Sequence, residues 1–434
     1  RTGMRAWFYT LGCKVNQYET QSMRRQFAEA GFETGEYGES APSGEACVIV
    51  VNSCTVTAES DRKLRQLLRR LRREHPAAVL CVTGCMPQAF PERAAQLAEA
   101  DIVLGNAERA VLPARVREFL TEHRRLVDIT PHSRTFEPMA IEEFEGRTRA
   151  FVKIEDGCDR FCSYCIIPYS RGRVRSKPLP ALAEEVRHLG ANDYREIVLV
   201  GINLTAYGRD LGVTLADAVE TVCAVPEVAR VRLGSLEPED MTPAVIERMA
   251  AQPKLCPQFH LSLQSGCNAT LRRMHRRYTA EDYAQICADL RRAFPGCALT
   301  TDVMVGFPGE TPEEFEQSLA FVRSVGFAAA HVFAYSRRAG TPAATAEGQV
   351  TAAEKAERSR RMIRTCEETR HAYLTALLGR EATLLTERPT ADGGTEGHIE
   401  TYVPVTVAGT YPPDTLLRVR LTEVSGDGCR AVPV

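Results

Sequence analysis

Strand-length apolar runs alternate with helical patterns from residue 4 to about residue 120, and this alternation constrains the fold more than any other feature of the sequence. The predicted strands are Met4–Thr10, Ala46–Asn52, Ala77–Thr83 and Asp101–Leu104. The predicted helices are Asn16–Ala30, Thr57–Arg73 and Pro87–Ala98. A β-α-β-α order predicts an open parallel α/β sheet with helices on both faces.

The same alternation starts again after a polar connector at about residues 131–148. The predicted strands of this second region are Ala150–Glu155, Glu196–Val200, Ala229–Gly234, Phe259–Leu263, Leu299–Val305 and Ala329–Tyr335. Helical stretches separate them, among them Pro180–Leu189, Pro243–Ala251, Ala280–Phe294 and Glu313–Val325. Six β-α repeats predict a partial (β/α)6 barrel, with chemistry at the carboxyl ends of its strands.

Three cysteines follow three successive strands of the first region: Cys13, Cys54 and Cys85, called here the N-terminal thiols. The carboxyl ends of parallel strands meet at one edge of a sheet, so these side chains are expected to converge. Three thiolates at one edge suit a metal cluster that keeps one iron free of protein ligands. The alternative is that each is a small buried apolar residue, the usual state of a free cysteine.

Three more cysteines follow the first barrel strand as C-x3-C-x2-C in EDGCDRFCSYCIIPYSRG: Cys158, Cys162 and Cys165, called here the barrel thiols. A loop with this spacing can wrap around a 4Fe–4S cubane, with the fourth iron open to an exogenous ligand. A zinc site normally takes four protein ligands, and no fourth Cys or His follows at a suitable interval. Zinc or a disulfide is the alternative. The other nine cysteines have no ligand spacing and are predicted to be core or incidental residues: Cys47, Cys81, Cys223, Cys256, Cys267, Cys287, Cys297, Cys366 and Cys429.

The cysteine total favours a reducing compartment. Fifteen cysteines, an odd number, do not predict a complete disulfide framework. The start RTGMRAWFYT has no apolar segment of the kind that signal peptides carry, and no apolar run reaches the roughly 18–20 residues that span a bilayer. We therefore expect a cytoplasmic protein with no membrane partner.

Net charge is close to zero, but basic residues are clustered. The chain has 54 Lys+Arg against 56 Asp+Glu, a formal charge of −2. Basic stretches are Asp61–His75, Arg171–Lys177, Arg272–Tyr278 and Arg358–Arg364. If these form one face, a polyanion such as RNA can lie across the first two domains; otherwise each is a solvated surface.

The cysteine motifs identify a family. C-x3-C-x2-C with Tyr164 before its last cysteine, after the first strand of a β/α barrel, resembles the radical S-adenosylmethionine enzymes. GCKVNQ, NSCTV and TGCMPQ around the N-terminal thiols resemble a narrower group, the methylthiotransferases. Further matching stretches are GINLTAYG, RLGSLEP, HLSLQSG, MHRRYT and TTDVMVGFPGET. The resemblance covers nearly the whole chain and implies an N-terminal cluster domain (1–130), a radical barrel (145–370) and a C-terminal TRAM domain (372–434).

This resemblance implies two 4Fe–4S clusters and S-adenosylmethionine. The barrel thiols would hold the cluster whose open iron chelates S-adenosylmethionine, which is cleaved to methionine and a 5′-deoxyadenosyl radical that abstracts a hydrogen atom. The N-terminal thiols would hold the cluster that carries or receives the sulfur, after a first S-adenosylmethionine has methylated it. The matching stretches also imply cofactor contacts from six residues, each of which equally fits a satisfied loop or surface group: Tyr164, Asn203, Ser235, Glu237, Gln264 and Arg276.

The C-terminal segment predicts one long helix and a small all-β module. Thr351–Leu378 opens with a capping box of Thr351 and Glu354. The β-like runs Ala382–Thr386, Tyr402–Val407 and Leu416–Leu421 follow, and GREATLLTE…GHIETYVPVTV resembles the OB-like, RNA-binding TRAM barrel. From His371 onward there are five Arg, no Lys and eight Asp/Glu, a net −3. This acidity weakens the case for phosphate binding, and a module that only caps the barrel is the alternative.

TLGCKVNQYET and DGCDRFCSYCIIPYSRG most resemble the family branch that acts on threonylcarbamoyladenosine in tRNA. The implied activity is that of a transferase that inserts a methylthio group at carbon 2 of that base, next to the anticodon. Its partners would be the tRNA anticodon loop, an external electron donor and a sulfur source. The alternatives are the same chemistry on isopentenyladenosine or on a ribosomal-protein aspartate, and a non-enzymatic iron–sulfur RNA-binding protein.

Overall fold

An all-parallel, six-stranded sheet forms the N-terminal part of the computed structural model, which describes residues 3–38, 47–55, 57–144 and 148–434. Its strands are β1 (Arg5–Thr10), β2 (Glu33–Glu36), β3 (Val48–Ser53), β4 (Val79–Gly84), β5 (Ile102–Leu104) and β6 (Leu126–Asp128). They lie in the order β2-β1-β3-β4-β5-β6. The helices are α1 (Lys14–Glu29), α2 (Ala58–Glu74), α3 (Cys85–Ala89), α4 (Pro91–Ala95) and α5 (Leu112–Glu122), with a 3-10 helix at Asn106–Val111. Separate apolar cores fill its two faces.

Two local features of this sheet differ from the sequence prediction. The predicted helix Pro87–Ala98 is divided into α3 and α4 at Phe90, which has φ −131° and ψ 66°. Pro91 lacks an N–H and disfavours helical backbone in the residue before it, so the helix cannot continue. The short edge strands β2 and β6 were not predicted, because neither has a run of apolar residues. Ala46, the first residue of one predicted strand, lies outside the described residues.

The central part is a partial barrel built from two sheets. Its strands are β7 (Arg149–Asp156), β8 (Arg175–Ser176), β9 (Glu196–Gly201), β10 (Arg230–Leu233), β11 (Ser235–Leu236), β12 (Gln258–Leu261), β13 (Ala298–Val305) and β14 (Ala329–Ala334). The sheet orders are β10-β9-β7-β8 and β11-β12-β13-β14, parallel except for β8. The helices are α6 (Ile167–Arg171), α7 (Leu179–Ala191), α8 (Leu215–Cys223), α9 (Pro243–Ala250), α10 (Asn268–Arg273), α11 (Ala280–Ala293) and α12 (Pro312–Val325). Short 3-10 helices lie at Leu204–Ala206 and Pro342–Thr345.

The predicted strand Ala229–Gly234 and the residues after it cross from one sheet to the other. β10 pairs with β9, whereas β11 pairs with β12, and Gly234 lies between β10 and β11. A methyl group at Gly234 would lie 3.1 Å from the Leu199 carbonyl oxygen, so the backbones approach closely there. The bend at this glycine joins the two sheets into one curved surface.

A long helix leads into a closed β-barrel at the C-terminus. α13 (Ala352–Leu377) begins with the predicted capping box of Thr351 and Glu354. The barrel strands are β15 (Glu381–Pro389), β16 (Thr395–His398), β17 (Pro404–Val407), β18 (Leu416–Ser425) and β19 (Gly428–Pro433), in the order β15-β16-β17-β19-β18. β16 and β19 were not predicted because they are short and contain glycine. The predicted fold class, an open parallel α/β sheet, a partial (β/α)6 barrel and a small β-barrel, is confirmed.

This C-terminal barrel packs against the amino ends of the central strands. Arg149, at the start of β7, pairs with Glu387 at 2.9 Å, and Arg230, at the start of β10, donates to the Thr383 and His398 carbonyls at 3.1 and 2.7 Å. The module therefore lies at the end of the central barrel opposite to the barrel thiols. All nine cysteines predicted to be core residues are buried. Over the described ranges, every helix is too short or too polar to cross a bilayer.

Candidate functional site

The N-terminal thiols lie at the carboxyl ends of three neighbouring strands. Cys13 follows β1, Cys54 follows β3 and Cys85 follows β4, and β1, β3 and β4 are adjacent in the sheet. The loop before Cys13 passes close over Cys54, because a methyl group at Gly12 would lie 2.8 Å from Cys54 Cβ. Cys13 is an exposed residue, but desolvation by the surrounding loops raises the pKa of its thiol, and the neighbouring Cys85 adds to that rise. The predicted convergence at one sheet edge is therefore present in the structure.

Side-chain amides and hydroxyls fix the loops that carry these thiols. Asn16 Nδ2 donates to the Leu11 and Ser53 carbonyls, at 2.7 and 3.1 Å. Ser53 Oγ donates to the Thr83 carbonyl at 2.7 Å. Gly84, with φ +103°, leaves no room for a side chain, since a methyl group there would lie 2.5 Å from the Ser53 carbonyl oxygen. The three loops thus hold one another in place.

The barrel thiols lie on a loop between β7 and α6 that is anchored to the rest of the barrel. The Cys158 N–H donates to the Gly172 carbonyl at 2.9 Å. Ser163 donates from its N–H to the Met274 carbonyl at 3.0 Å and from Oγ to the Arg273 carbonyl at 2.8 Å. These bonds from backbone and side chain fix the loop to α10 and to the residues around Gly172.

The surroundings of the barrel thiols fit an iron–sulfur cluster. Burial raises the pKa of Cys158 and of Cys165 to about 12, so metal coordination is needed to keep these sulfurs as thiolates. The Ile167 N–H lies 3.4 Å from Cys165 Sγ and Arg276 Nη1 lies 3.5 Å from Cys162 Sγ, and both are donors that stabilise thiolate sulfur. In the part of the chain that the structure describes, no three His, Cys, Asp or Glu side chains are close enough together to hold a single metal ion. A cubane separates its ligands over three irons, so a wider spacing is expected.

Three of the six predicted cofactor residues lie together beside the barrel thiols. Arg276 is buried and contacts Glu237 Oε2 at 2.5 Å, Tyr278 Oη at 2.9 Å and Cys162 Sγ. Tyr164 projects from the thiol loop with its ring centroid 6.3 Å from that of Phe307. Burial raises the pKa of the Tyr164 hydroxyl, and the Arg276 charge opposes the rise.

The other three predicted cofactor residues, Asn203, Ser235 and Gln264, lie at strand ends. Asn203, after β9, connects to the first group, because Thr205 Oγ1 accepts from the Glu237 N–H at 3.2 Å and contacts Asn203 Oδ1 at 3.4 Å. Gln264, after β12, adopts φ +67°. Within the described residues, Asn203 Nδ2 and Gln264 Oε1 are buried without a hydrogen-bond partner, as expected of atoms that await a polar ligand. Ser235, at the start of β11, is exposed to a cavity inside the barrel.

A buried ionic network that the sequence analysis missed lies between the two thiol sites. The Glu19 carboxylate, on α1, accepts from Lys153 Nζ at 3.1 Å, from both Arg171 Nη atoms at 2.8 Å and from Arg109. Asp156 accepts from Lys153 at 2.9 Å. Burial alone would raise the pKa of Glu19, but the three cations outweigh it and hold that pKa well below its usual range. The network joins the N-terminal sheet to the barrel.

Helix α6 connects the two thiol sites directly. It begins two residues after Cys165 and packs against α3, whose first residue is Cys85. Asn106 Nδ2 bridges them, with contacts of 3.6 Å to Cys85 Sγ and 3.2 Å to the Ser170 carbonyl. Arg171, the last residue of α6, opposes the rise in the Cys13 pKa through its positive charge. One short helix thus sets the relative position of the two sites.

A cavity of about 450 Å³ lies in the central barrel, lined by Ser235 of β11 and by Tyr402 of the C-terminal barrel among others. Lys14, which directly follows Cys13, lines it together with Arg232, His260 and Asp302. Asp302 is a polar residue in the mostly apolar strand β13. It is hydrogen-bonded to His260, whose Nε2 lies 3.1 Å from Asp302 Oδ2. The sequence contained no signal for Lys14, because no local pattern indicates that the start of α1 meets the central barrel.

A groove of about 870 Å³ separates α2 from the loop after β14. The arginines that line it are Arg62, Arg65, Arg69, Arg93, Arg337 and Arg338. Arg338 is buried and pairs with Asp61 at 2.8 Å. Arg65, Arg93 and Arg337 are exposed, and among the residues that the structure describes none has a carboxylate within ion-pair distance. The loop also contacts the barrel-thiol loop, since the Ala343 N–H donates to the Ser163 carbonyl at 2.8 Å.

Sequence comparisons match both domains. The profile described as "Radical SAM superfamily" matches residues 152–322, and "Uncharacterized protein family UPF0004" matches residues 5–105. The threonylcarbamoyladenosine tRNA methylthiotransferase of Thermotoga maritima is 36% identical over 97% of this chain and 96% of the relative. That of Bacillus subtilis is 37% identical over 93% and 90%. The tRNA-2-methylthio-N6-dimethylallyladenosine synthase of Moorella thermoacetica is 37% identical over 95% and 94%.

Solved structures share the fold at low sequence identity. The radical S-adenosylmethionine methyltransferase TsrM from Kitasatospora setae aligns with a TM-score of 0.57 and 15% identity, over 82% of this chain and 85% of that one. The cobalamin-dependent radical enzyme OxsB aligns with a TM-score of 0.53 and 11% identity, over 84% and 56%. At these identities the likeness concerns the fold alone.

Proposed function

Since this chain belongs to the radical S-adenosylmethionine methylthiotransferase family, we propose that it inserts a methylthio group at carbon 2 of threonylcarbamoyladenosine, next to the anticodon of tRNA. The observation that carries the proposal is that the two three-cysteine sites are neighbours. Helix α6 follows the barrel thiols and packs against α3, which begins at Cys85. A methylthiotransferase needs a centre that activates the C–H bond beside a centre that supplies sulfur, and this arrangement provides positions for both.

The residues of the site have two kinds of role, because some would hold the clusters and others would orient S-adenosylmethionine. We propose that the barrel thiols and the N-terminal thiols each hold a 4Fe–4S cluster, and that Tyr164, Asn203, Ser235, Glu237, Gln264 and Arg276 contact S-adenosylmethionine. When bound, these groups supply the radical chemistry and the sulfur and methyl groups of the product. Arg276 donates to both Cys162 Sγ and Glu237, so it fixes the thiol loop relative to the polar residues that face it. The Glu19 network holds the sulfur-carrying site against the barrel.

The arginine groove supports tRNA as the partner. Arg65, Arg93 and Arg337 present positive charge without internal counter-ions, as a phosphate-binding surface requires. The loop after β14 lines the groove and contacts the barrel-thiol loop, so an RNA backbone bound in the groove would have its unstacked anticodon bases on the side of the site. The C-terminal barrel lies at the opposite end and carries a net −3 from His371 onward, which favours a packing role over the main phosphate contacts.

The division into domains at 1–130, 145–370 and 372–434 is also proposed, with 145–147 outside the described residues. Four apolar cores support it: two flank the first sheet, one fills the central barrel and one fills the C-terminal barrel. Val15 and Tyr18 of α1 belong to the central core, so the first domain is docked firmly on the second. We further propose a cytoplasmic location, an external electron donor and a separate sulfur source.

Mass spectrometry of tRNA nucleosides from cells with and without the gene tests the function. Loss of 2-methylthio-threonylcarbamoyladenosine in the deletion strain is expected. Loss of only the dimethylallyl product would refute the branch and establish the second candidate, which the 37% identity to the Moorella thermoacetica synthase favours.

Metal analysis and two cysteine variants test the site. About eight irons per chain are expected for two cubanes, and one or two zinc ions in their place would contradict the proposal. Cys13→Ala should lose methylthio product and still cleave S-adenosylmethionine, whereas Cys162→Ala should lose both. An equal loss of cleavage in the two variants would show that the sites do not have separate roles.

A further inference from the structure

The barrel cavity is lined by residues of the N-terminal domain, the central barrel and the C-terminal barrel. Lys14, the first residue of α1, enters it from the N-terminal domain and directly follows Cys13. Ser235, one of the predicted cofactor residues, lines the same cavity from β11. A base bound with Lys14 on one side and Ser235 on the other would have its side group in or beside this space of about 450 Å³.

Positive charge is in excess around the cavity. Arg232 and Arg230 both pair with the single Glu196 carboxylate, at 3.1 and 2.7 Å. Lys14 has no carboxylate within ion-pair distance in the described ranges of the chain, and its ammonium lies 5.4 Å from the centroid of the Phe151 ring. Lys14 is an exposed residue that lines the cavity, so its unpaired ammonium is available to an anionic ligand.

The opposite charge in the cavity limits what that anion can be. Asp302 lines the same cavity, and its carboxylate is engaged by His260 Nε2 at 3.1 Å. A doubly charged phosphate would be repelled by Asp302 more strongly than a singly charged carboxylate. The cavity therefore favours a monoanion bound on the Lys14 side.

We propose that this cavity binds the carboxylate of the substrate's N6 side group, with Lys14 as its counter-ion. The inference rests on the proposed function: the threonylcarbamoyl group ends in a carboxylate, whereas the dimethylallyl group is apolar. Lys14 is accordingly a residue that determines substrate specificity. It selects the charged side group and does not act on carbon 2.

Binding of three anticodon stem–loop RNAs to the reconstituted full-length protein tests this inference. The RNAs differ only in the target base, which is threonylcarbamoyladenosine, its methyl ester or adenosine. Wild-type protein is expected to bind the first about tenfold more tightly than the other two, as for a charge-assisted hydrogen bond. In Lys14→Met the three dissociation constants should converge on the wild-type value for adenosine, and Lys14→Arg should restore part of the preference.

Arg25→Met, which neutralises a cation on the exposed side of the same helix, is the matched control and should keep the tenfold preference. Iron content and melting temperature equal to wild type show that the Lys14 variants are folded and loaded. A preference that survives in Lys14→Met, or is absent from wild type, overturns the inference. So does equal weakening toward all three RNAs, which would place Lys14 on the RNA backbone. Failure of the proposed function is detected separately, as absence of methylthio product in wild-type reactions.

Discussion

The Arg171 guanidinium donates two hydrogen bonds to the Glu19 carboxylate, from Nη1 to Oε2 and from Nη2 to Oε1, each 2.8 Å long. This bidentate pair crosses from the barrel to the N-terminal sheet, and both side chains are fully buried. The same guanidinium donates from Nη2 to Asn16 Oδ1 at 2.7 Å, and Asn16 holds the loops around Cys13 and Cys54. The geometry around the N-terminal thiols therefore depends on an ion pair between the N-terminal sheet and the barrel.

Glu19→Gln should destabilise the protein strongly. It leaves Arg109, Arg171 and Lys153 buried with one fewer negative charge, and breaking such a pair costs about 3–5 kcal/mol. We expect a lower urea midpoint under anaerobic conditions and a lower iron content. Glu33→Gln removes the exposed pair with Arg5 at 3.2 Å and should cost at most about 1 kcal/mol. Equal effects of the two substitutions would contradict the role of the network.

Gly84→Ala should empty the N-terminal thiol site selectively. The new methyl group would lie 2.5 Å from the Ser53 carbonyl oxygen, so Cys85 has to move. Iron should fall from about eight toward about four per chain, while cleavage of S-adenosylmethionine persists. Gly393→Ala is the matched control, because Gly393 has φ +86° with no atom within 4 Å, and its cost is confined to about 1–2 kcal/mol of backbone strain. Unchanged iron in Gly84→Ala would disprove the steric argument.

Neutralising the groove arginines should weaken tRNA binding regardless of base sequence. Each of Arg65→Gln, Arg93→Gln and Arg337→Gln should reduce the slope of log affinity against log salt by about 0.7–0.9, the value for one lost phosphate contact. Titrations at several salt concentrations measure this slope.

Arg418→Gln and Arg420→Gln on the C-terminal barrel provide the comparison for the groove variants. Both arginines are exposed and pair with Glu381, at 3.3 and 3.0 Å. Their substitution should leave the salt slope unchanged. A larger effect there than in the groove would move the RNA to the C-terminal barrel.

Glu196 should make the contact between the two barrels sensitive to acid. Burial alone would raise its pKa, but Arg232, Arg230 and Arg149 hold that pKa well below its usual range. The ionised carboxylate therefore stabilises the fold above its unfolded pKa of about 4.3, and this contribution is lost as the pH falls below about 5. The gap in urea midpoint between wild type and Glu196→Gln should be largest near pH 7 and narrow toward pH 3, followed by circular dichroism. Glu381→Gln removes an exposed pair with Arg420 and should show a smaller gap at pH 7. A Glu196→Gln gap of constant size would refute the assignment.

Local sequence patterns predicted the elements that carry the cysteines. Each N-terminal thiol follows a buried strand as expected, and α13 begins at the predicted capping box of Thr351 and Glu354. These features depend on residues close together in the chain, where periodicity and capping chemistry determine structure. The split of the helix at Phe90 was missed although Pro91 signalled it.

The sequence did not predict contacts that join distant segments. Glu19 looks like an ordinary acidic residue of an amphipathic helix, yet its partners Lys153 and Arg171 are 134 and 152 positions away. Lys14 likewise acquires its surroundings from β10, β12 and β13, which are brought to it only by the docking of the two domains. Such roles depend on tertiary packing between distant segments, which local sequence patterns do not reveal.

The length of α6 has a consequence for how this chain can vary. Helix α6 has only five residues, Ile167–Arg171, and it follows the barrel-thiol loop directly. At its last position, the side chain of Arg171 must point at Glu19. One inserted residue would rotate Arg171 by about 100° around the helix axis and shift it by about 1.5 Å. Substitutions on the exposed side of α6, such as at Tyr169, leave this alignment intact. Insertions and deletions do not, so the spacing between Cys165 and Arg171 should be invariant among chains that keep both centres.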